Sequence, residues 1–282
     1  MNERITEKYK TLQSVISQYN SAIIAFSGGI DSSLVAYVAG KVLGNNALAI
    51  TSGSASLKRS DLHLAKTLGK DWGLSHEIIV TDELSKADYR RNPVNRCFHC
   101  KTSLYTALDT ICKERGIEVI FNGTNLDDLG DHRPGLVAAE NYQVCSPLVE
   151  AGFHKDDVRQ LANEIGLKNA DKPQSACLSS RFPYGTSIDK QLLAQVEEAE
   201  KVLESLGFTQ FRVRHHGDLA RIEVTEPEIE KAMGYRFQIN RALGNLGYRY
   251  VTLDMLGFRS GSLNEGLHKD QILVVNIDNL DN

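Results

Sequence analysis

The sequence contains no apolar run near the roughly 18 residues that a membrane-spanning helix needs. Its first twenty residues also lack the apolar centre of a secretory leader, so a cytoplasmic protein is expected. Cysteine is scarce: five in 282 residues, too few for a disulfide scaffold and odd in number. Thiols used so sparingly suit a reducing compartment, where they serve metals or catalysis. Basic charge is not in excess, since 32 Lys and Arg stand against 36 Asp and Glu for a net charge of −4. With no Lys/Arg tract, a broad nucleic-acid surface is not expected. There are no internal repeats and no low-complexity tracts. What is present is a 41% hydrophobic fraction, enough for a core, in a chain long enough for one large or two modest domains.

Apolar groups at Ile5, Tyr9, Leu12, Val15, Ile16 and Tyr19 are spaced as on one face of a helix. The short run 21–26 then reads as a buried strand ending in a glycine pair. Strand patterns at 47–51, 76–80 and 118–123 alternate with helical patterns at 34–44, 59–72 and 101–115. This rhythm predicts an α/β fold, a Rossmann-like parallel sheet with helices on both faces, and a ligand site at the carboxyl ends of its strands. After about residue 180 the pattern becomes α+β: a long helix, then FRVRHH, ARIEV and YRYVTLDM as strands. The Pro/Gly/Ser-rich stretch 171–187 carries the expected boundary, giving a domain 1–180 and a smaller α+β domain 181–282. Trp72, at a predicted helix end, is read as core.

The sharpest motif is Ser27-Gly28-Gly29-Ile30-Asp31-Ser32-Ser33, between a strand and a helix. Glycines let successive N–H groups converge on an anion, and the helix N-terminus adds partial positive charge. Ser27, Ser32 and Ser33 add hydroxyls. The Gly-Lys-Ser/Thr of a Walker A loop is absent. A bland alternative is a Gly-Gly turn with Asp31 as helix cap. The motif resembles the PP-loop of the ATP pyrophosphatases, which cut ATP between the α and β phosphates and adenylate a substrate. Gly123-Thr124-Asn125-Leu126-Asp127-Asp128, after another strand, resembles the second nucleotide motif of that class. The resemblance implies ATP, with Mg²⁺ on the carboxylates of Asp31, Asp127 and Asp128. Ser52, in Ser52-Gly53-Ser54, is placed to meet the adenosine.

Cys97-Phe98-His99-Cys100-Lys101 is a CxxC, and Cys177 lies in the stretch between the domains. Cys112 and Cys145 read as core thiols. Spacing alone leaves an iron–sulfur site, a zinc site completed by His99 or His132, and simple thiol chemistry on equal terms. The segment PQSACLSSRFPYGTSI, with the two motifs above and FRVRHHGDLARIEV, is similar to the LarE family along essentially the whole chain. These sulfur transferases act on a pyridinium dicarboxylate mononucleotide on the way to a nickel-pincer cofactor. The resemblance implies that ATP adenylates a substrate carboxylate and that sulfur then attacks the activated carbon. In one branch the cysteine matching Cys177 gives up its sulfur and is left as dehydroalanine. In the other, three cysteines matching Cys97, Cys100 and Cys177 hold a [4Fe–4S] cluster with one open iron; the CxxC favours this branch.

Arg212 and Arg214 alternate on a predicted strand and so share a face. The resemblance places them, with Ser180, at the substrate phosphate, and puts Arg181 beside Cys177 in the same cleft; the bland reading pairs the arginines with Glu223 or Glu200. Lys101 and Glu200 also resemble site positions. The resemblance further implies a hexamer and contact with other proteins of nickel-pincer synthesis. Three other readings compete. An amide-forming PP-loop ligase would need no thiol triad. A tRNA-thiolating enzyme would need a basic surface. A non-catalytic nucleotide sensor would release no pyrophosphate.

Overall fold

Apolar runs too short for helices become a parallel sheet in the computed structural model, which describes residues 2–129, 134–173, 175–259 and 261–265. In chain order the elements are α1 (Glu3–Ile16), β1 (Ala22–Ala25), α2 (Ile30–Leu43), β2 (Ala47–Ser52), α3 (Arg59–Asp71), β3 (Ser75–Ile79), α4 (Ala87–Arg90), α5 (Arg96–Arg115) and β4 (Val119–Phe121). Then come α6 (Leu126–Leu129), α7 (Pro134–Asn141), α8 (Pro147–Glu150), α9 (Lys155–Glu164), α10 (Lys190–Ser205), β5 (Phe211–His216), β6 (Leu219–Val224), α11 (Ile229–Gly234), α12 (Arg236–Asn245) and β7 (Tyr250–Leu253). Among the described residues no helix is long and apolar enough to cross a membrane.

One unit comprises Met1–Glu83 with Asn95–Ser175. Its sheet has the order β3-β2-β1-β4, all parallel, with Ala22 of β1 in register with Ala47 and Val119. The two-residue period of a strand explains the layering. Ala22, Ile24, Phe26, Ala49 and Phe121 join one core with Leu12 of α1, Leu34 and Val38 of α2 and Leu161 of α9. Ile23, Leu48, Ile50 and Ile120 join another with Tyr105 and Leu108 of α5 and Ala138 and Ala139 of α7. The central strands are therefore apolar on both faces. The chain leaves β1 toward β2 and later returns to place β4 on the opposite side of β1. The carboxyl ends of β1 and β4 thus flank a topological switch point, where α/β sheets bind ligands. Trp72 caps α3 and packs against the first core, and Cys145 forms a single parallel bridge to Phe121 rather than a strand.

The other unit comprises Leu84–Val94 with Ala176–Asn282. Its sheet has the order β5-β6-β7, antiparallel and then parallel. Leu203 of α10 and Leu243 of α12 cover Val213 and Ile222 on one face. The seam at 175/176 lies within the stretch 171–187, but Leu84–Val94, expected in the first domain, sits in the second unit. Buried Asn92 explains this placement: its Nδ2 donates to the carbonyls of Phe182 (3.3 Å) and Pro183 (2.8 Å). The Tyr89 and Ser179 hydroxyls also meet at 2.7 Å. Such side-chain pins leave no compositional trace. His132 and the apolar run QILVVNI, a candidate association edge, lie outside the described residues.

Asp157 ties α9 to α1. It is buried, accepts from the His154 N–H (3.0 Å) and faces Lys8 and Arg4 of α1. Burial opposes its charge, but the Lys8, His154 and Arg4 contacts outweigh that and hold the carboxyl below its ordinary range. The stabilisation is therefore present above the unfolded carboxylate pKa and is lost as pH falls through the lower folded value. Asp157→Asn is expected to cost about 2–4 kcal/mol at neutral pH. Denaturant titrations of both proteins at pH 7 and pH 3 should show that gap narrowing in acid.

Candidate active site

Gly28 adopts φ +74, in the left-handed region where a side chain would be strained. Gly29, the N-cap of α2, provides no side-chain cap, so the first-turn N–H groups are left to an anion. Asp31 sits in the first turn and is not the cap. The loop is held from within. Ser32 Oγ lies 3.0 Å from Ser27 Oγ, accepts from the Ser27 N–H and donates to the Gly29 carbonyl. Ser33 is fully buried and its Oγ accepts from Asn169, so it supports the loop from below rather than facing a phosphate.

The turn after β4 presses on the same helix end. A Cβ added to Gly123 would lie 2.5 Å from Ser32 N and 2.8 Å from Ser32 Cα. Only glycine lets the two backbones meet this closely. Thr124 follows, its N–H bound by Asn122 Oδ1. Fully buried Asn125 then donates through Nδ2 to Asp31 Oδ1 at 3.0 Å, and its own N–H is accepted by Asp128 Oδ2. Burial first, and then the nearby Asp128 charge, push the Asp31 carboxyl upward, against the Asn125 bond that lowers it. Two carboxylates that feel each other in this way are suited to a shared divalent cation, which takes oxygen ligands. Asp127 turns the other way. Its oxygens accept from the Lys155 N–H and bind His154 Nδ1, both at 2.7 Å, at the start of α9. These bonds hold its carboxyl below the usual range. Sequence does not separate Asp127 from Asp128; Asp127 is committed to α9, whereas Asp128 accepts from the N–H of Asn125, the residue whose side chain donates to Asp31.

Ser52 ends β2 but its hydroxyl meets Thr81 at 2.6 Å, in a network that continues to buried Glu83 and Ser56. That side chain shapes the turn, and the backbone is also engaged: the Gly53 N–H donates to the Ile79 carbonyl (2.8 Å) and the Ser54 carbonyl accepts from the Leu57 N–H (3.1 Å). Cys97 and Cys100 lie in the first two turns of α5, three residues apart, whereas the sequence pattern starts this helix at 101. None of the five cysteines is in a disulfide. Burial pushes the Cys112 thiol up to about 11 and that of Cys145, which also meets Glu150, up to about 12. Both are half-buried against the cores, and burial favours the protonated thiol, the less reactive form. Among the described residues no three His, Cys, Asp or Glu side chains are grouped as metal ligands.

In the second unit, Arg181 is fully buried. It forms a bidentate pair with Glu200 (2.8 and 3.0 Å) and donates through Nη1 to the carbonyls of Ala176 and Cys177 and to Ser180 Oγ. Its expected place lining a cleft gives way to a positioning one: it fixes the backbone that carries Cys177. Arg214 is likewise buried and bidentate with Glu223, and it donates to the Ser180 carbonyl and Ser262 Oγ. Arg212 differs. It donates to the Phe211 carbonyl (2.7 Å) and stacks over Phe258 (4.9 Å), and among the described residues no carboxylate pairs with it. Burial, then the Arg181 and Arg214 charges, push it down to about 10. Arg212 is half-buried, and the Glu200 and Glu223 carboxylates that pair with Arg181 and Arg214 partly offset those charges. Lys101 lies over Tyr105, remote in kind from the nucleotide loop's hydroxyls and carboxylates. Asn125 could have been found from the second motif, where it stands between Thr124 and Asp127, and Glu223 takes the pairing with an arginine that the bland reading gave it; Asn169 belongs to no pattern and carries no such signal.

A phosphate loop between β1 and α2, crossed by a glycine turn after β4, on a parallel sheet with helices on both faces, defines a PP-loop ATP pyrophosphatase domain. The NAD synthase family model matches residues 4–94. An uncharacterized protein of Synechocystis is 41% identical over 94% of this chain and the whole of its own length. Pyridinium-3,5-bisthiocarboxylic acid mononucleotide synthase of Lactiplantibacillus plantarum is 40% identical over 95% of this chain and 98% of its own. An uncharacterized protein of Methanocaldococcus jannaschii is 28% identical over 92% of this chain and 96% of its own length. The chain belongs to the LarE family.

The Gly123 contact makes a sharp prediction. Gly123→Ala must push the loop off its position, and a displacement of about 1 Å at a reacting centre costs about 100-fold. Steady-state pyrophosphate release should fall by about that factor, with an unchanged far-ultraviolet circular dichroism spectrum.

Proposed function

We propose that this protein is an ATP-dependent sulfur transferase that converts a carboxylate of a pyridinium-3,5-dicarboxylate mononucleotide into a thiocarboxylate. The observation that carries this reading is its end-to-end likeness to a synthase of the bisthiocarboxylic acid mononucleotide, joined to the phosphate loop that Gly123 abuts. In this proposal the first-turn N–H groups of α2 bind the ATP phosphates, and Asp31 and Asp128 hold Mg²⁺. Bound Mg²⁺ would neutralise charge on the departing pyrophosphate. A substrate carboxylate oxygen attacks the α-phosphorus, pyrophosphate leaves, and the carbonyl carbon, now bearing AMP as leaving group, becomes electrophilic. Arg212 takes the substrate phosphate, and Arg214 and Arg181 hold the strand and loop beside it.

Sulfur then displaces AMP. The family resemblance gives Cys97, Cys100 and Cys177 to an iron–sulfur cluster; Cys97 and Cys100, thiols outside any disulfide and one helical turn apart, have the donor chemistry for it, while the described residues bring no three such side chains together. A [4Fe–4S] cluster held by these three would supply a sulfide at its open iron. A second reading is favoured by the way Arg181 fixes the Cys177 backbone. In it the Cys177 thiolate displaces AMP to form a thioester; loss of the Cα proton then breaks the Cβ–S bond, releasing thiocarboxylate and leaving dehydroalanine. Either chemistry suits a reducing cytoplasm and an assembly of several copies.

Iron and acid-labile sulfide on anaerobically purified protein separate the two. About four irons per chain and multiple turnovers are expected for the cluster; no iron, with the intact mass falling by one H₂S after a single turnover, is expected for the sacrificial route. Cys177→Ala should keep pyrophosphate release and abolish thiocarboxylate formation. Continued sulfur transfer by that variant would contradict both routes.

A further inference from the structure

We infer that Asn169 is a positioning residue for ATP binding, the group that turns the Gly28–Gly29 peptide so that its N–H faces the phosphates. The inference deepens the phosphate-loop reading above and rests on it. Asn169 lies beyond α9, far in sequence from the loop, and is 3% exposed. Its Nδ2 donates twice, to the Gly28 carbonyl at 3.0 Å and to Ser33 Oγ at 2.8 Å. A trans peptide is planar, with C=O and N–H on opposite sides. Drawing the Gly28 carbonyl inward therefore swings the Gly29 N–H outward. Gly28, in the left-handed conformation, gives this peptide wide conformational freedom; on the exposed side the Gly29 N–H makes one long bond to Ser27 Oγ (3.3 Å), and on the buried side Asn169 holds the Gly28 carbonyl.

Two further facts favour a role at the loop over a general packing role. Asn169 Oδ1 is buried and accepts no hydrogen bond among the described residues. The amide is thus arranged for its donors at the expense of its acceptor, and flipping it would set oxygen against the Gly28 carbonyl. The segment bearing Asn169 is also clamped independently. Lys172 (2.7 Å) and Ser175 (2.6 Å) both reach the buried carboxylate of Asp61 in α3. The clamp holds the backbone, so the amide's work is specific to Gly28 and Ser33.

Asn169→Asp keeps the shape but turns the donor pair into acceptors. Calorimetric binding of α,β-methylene-ATP with Mg²⁺ and, separately, of the pyridinium dicarboxylate mononucleotide should be measured on the full chain. The expected result for Asn169→Asp is a loss of about tenfold or more in affinity for the ATP analogue, with mononucleotide affinity unchanged. If Asn169→Asp does not fold, Asn169→Ser, smaller and still a donor, should give a smaller, analogue-specific loss. Unchanged analogue binding in the Asn169 variants, or equal loss of both ligands together with a lower melting temperature, would overturn the inference. Failure of the unmodified protein to bind the analogue would instead remove the phosphate-loop reading, and the inference with it.

Discussion

The nucleotide site depends on one close approach: the backbone at Gly123 against the backbone that opens α2. The sheet order makes this contact possible, because β1 and β4 are neighbours whose connections leave in different directions. The absence of a Cβ at Gly123 makes it tight. From that contact the rest of the site follows. The next residues reach across the switch point, so Asn125 can bond Asp31, and Asp128 comes near enough to raise the Asp31 carboxyl. In the proposal these two carboxylates take the Mg²⁺. The hydroxyls of Ser27 and Ser32 and the amide of Asn169 fix the remaining freedom of the loop.

The second unit applies a different rule, burial of charge in matched pairs. Arg181 with Glu200 and Arg214 with Glu223 are both bidentate and almost wholly removed from water. Removing one partner of such a pair costs about 3–5 kcal/mol, because the other charge stays buried. Their value here is geometric. Both guanidiniums also bind loop atoms around Cys177 and Ser180, so the segment is held by charges that cannot easily rearrange. Arg212 stands beside them without a carboxylate of its own among the described residues. Two of these arginines are satisfied by carboxylates and one is not, and the proposal gives the substrate phosphate to that one.

Much of this is legible in the chain. The parallel sheet and its two-faced helical cover follow from short, doubly apolar strands, and the phosphate loop from Ser27 to Ser33 is a local pattern. What sequence does not show are directions. Asp127 and Asp128 are adjacent and alike, yet the N-terminus of α9 captures one while the other accepts from the Asn125 N–H beside Asp31. Alternation puts Arg212 and Arg214 on one face, but not which of them is consumed by Glu223 across the strand. Leu84–Val94 joins the second unit through Asn92 and Tyr89, single side chains that no composition shift announces.

Adenylation of a substrate carboxylate at the Gly28 loop is the central claim, and isotope transfer tests it most directly. Pyridinium dicarboxylate mononucleotide labelled with ¹⁸O in its carboxylates should be incubated with the protein, ATP and Mg²⁺, and the nucleotide product examined by mass spectrometry. The account predicts AMP carrying one ¹⁸O from the substrate, pyrophosphate in equal amount, and a product with sulfur in place of that oxygen. AMP without the label, or ADP and phosphate as products, would contradict it.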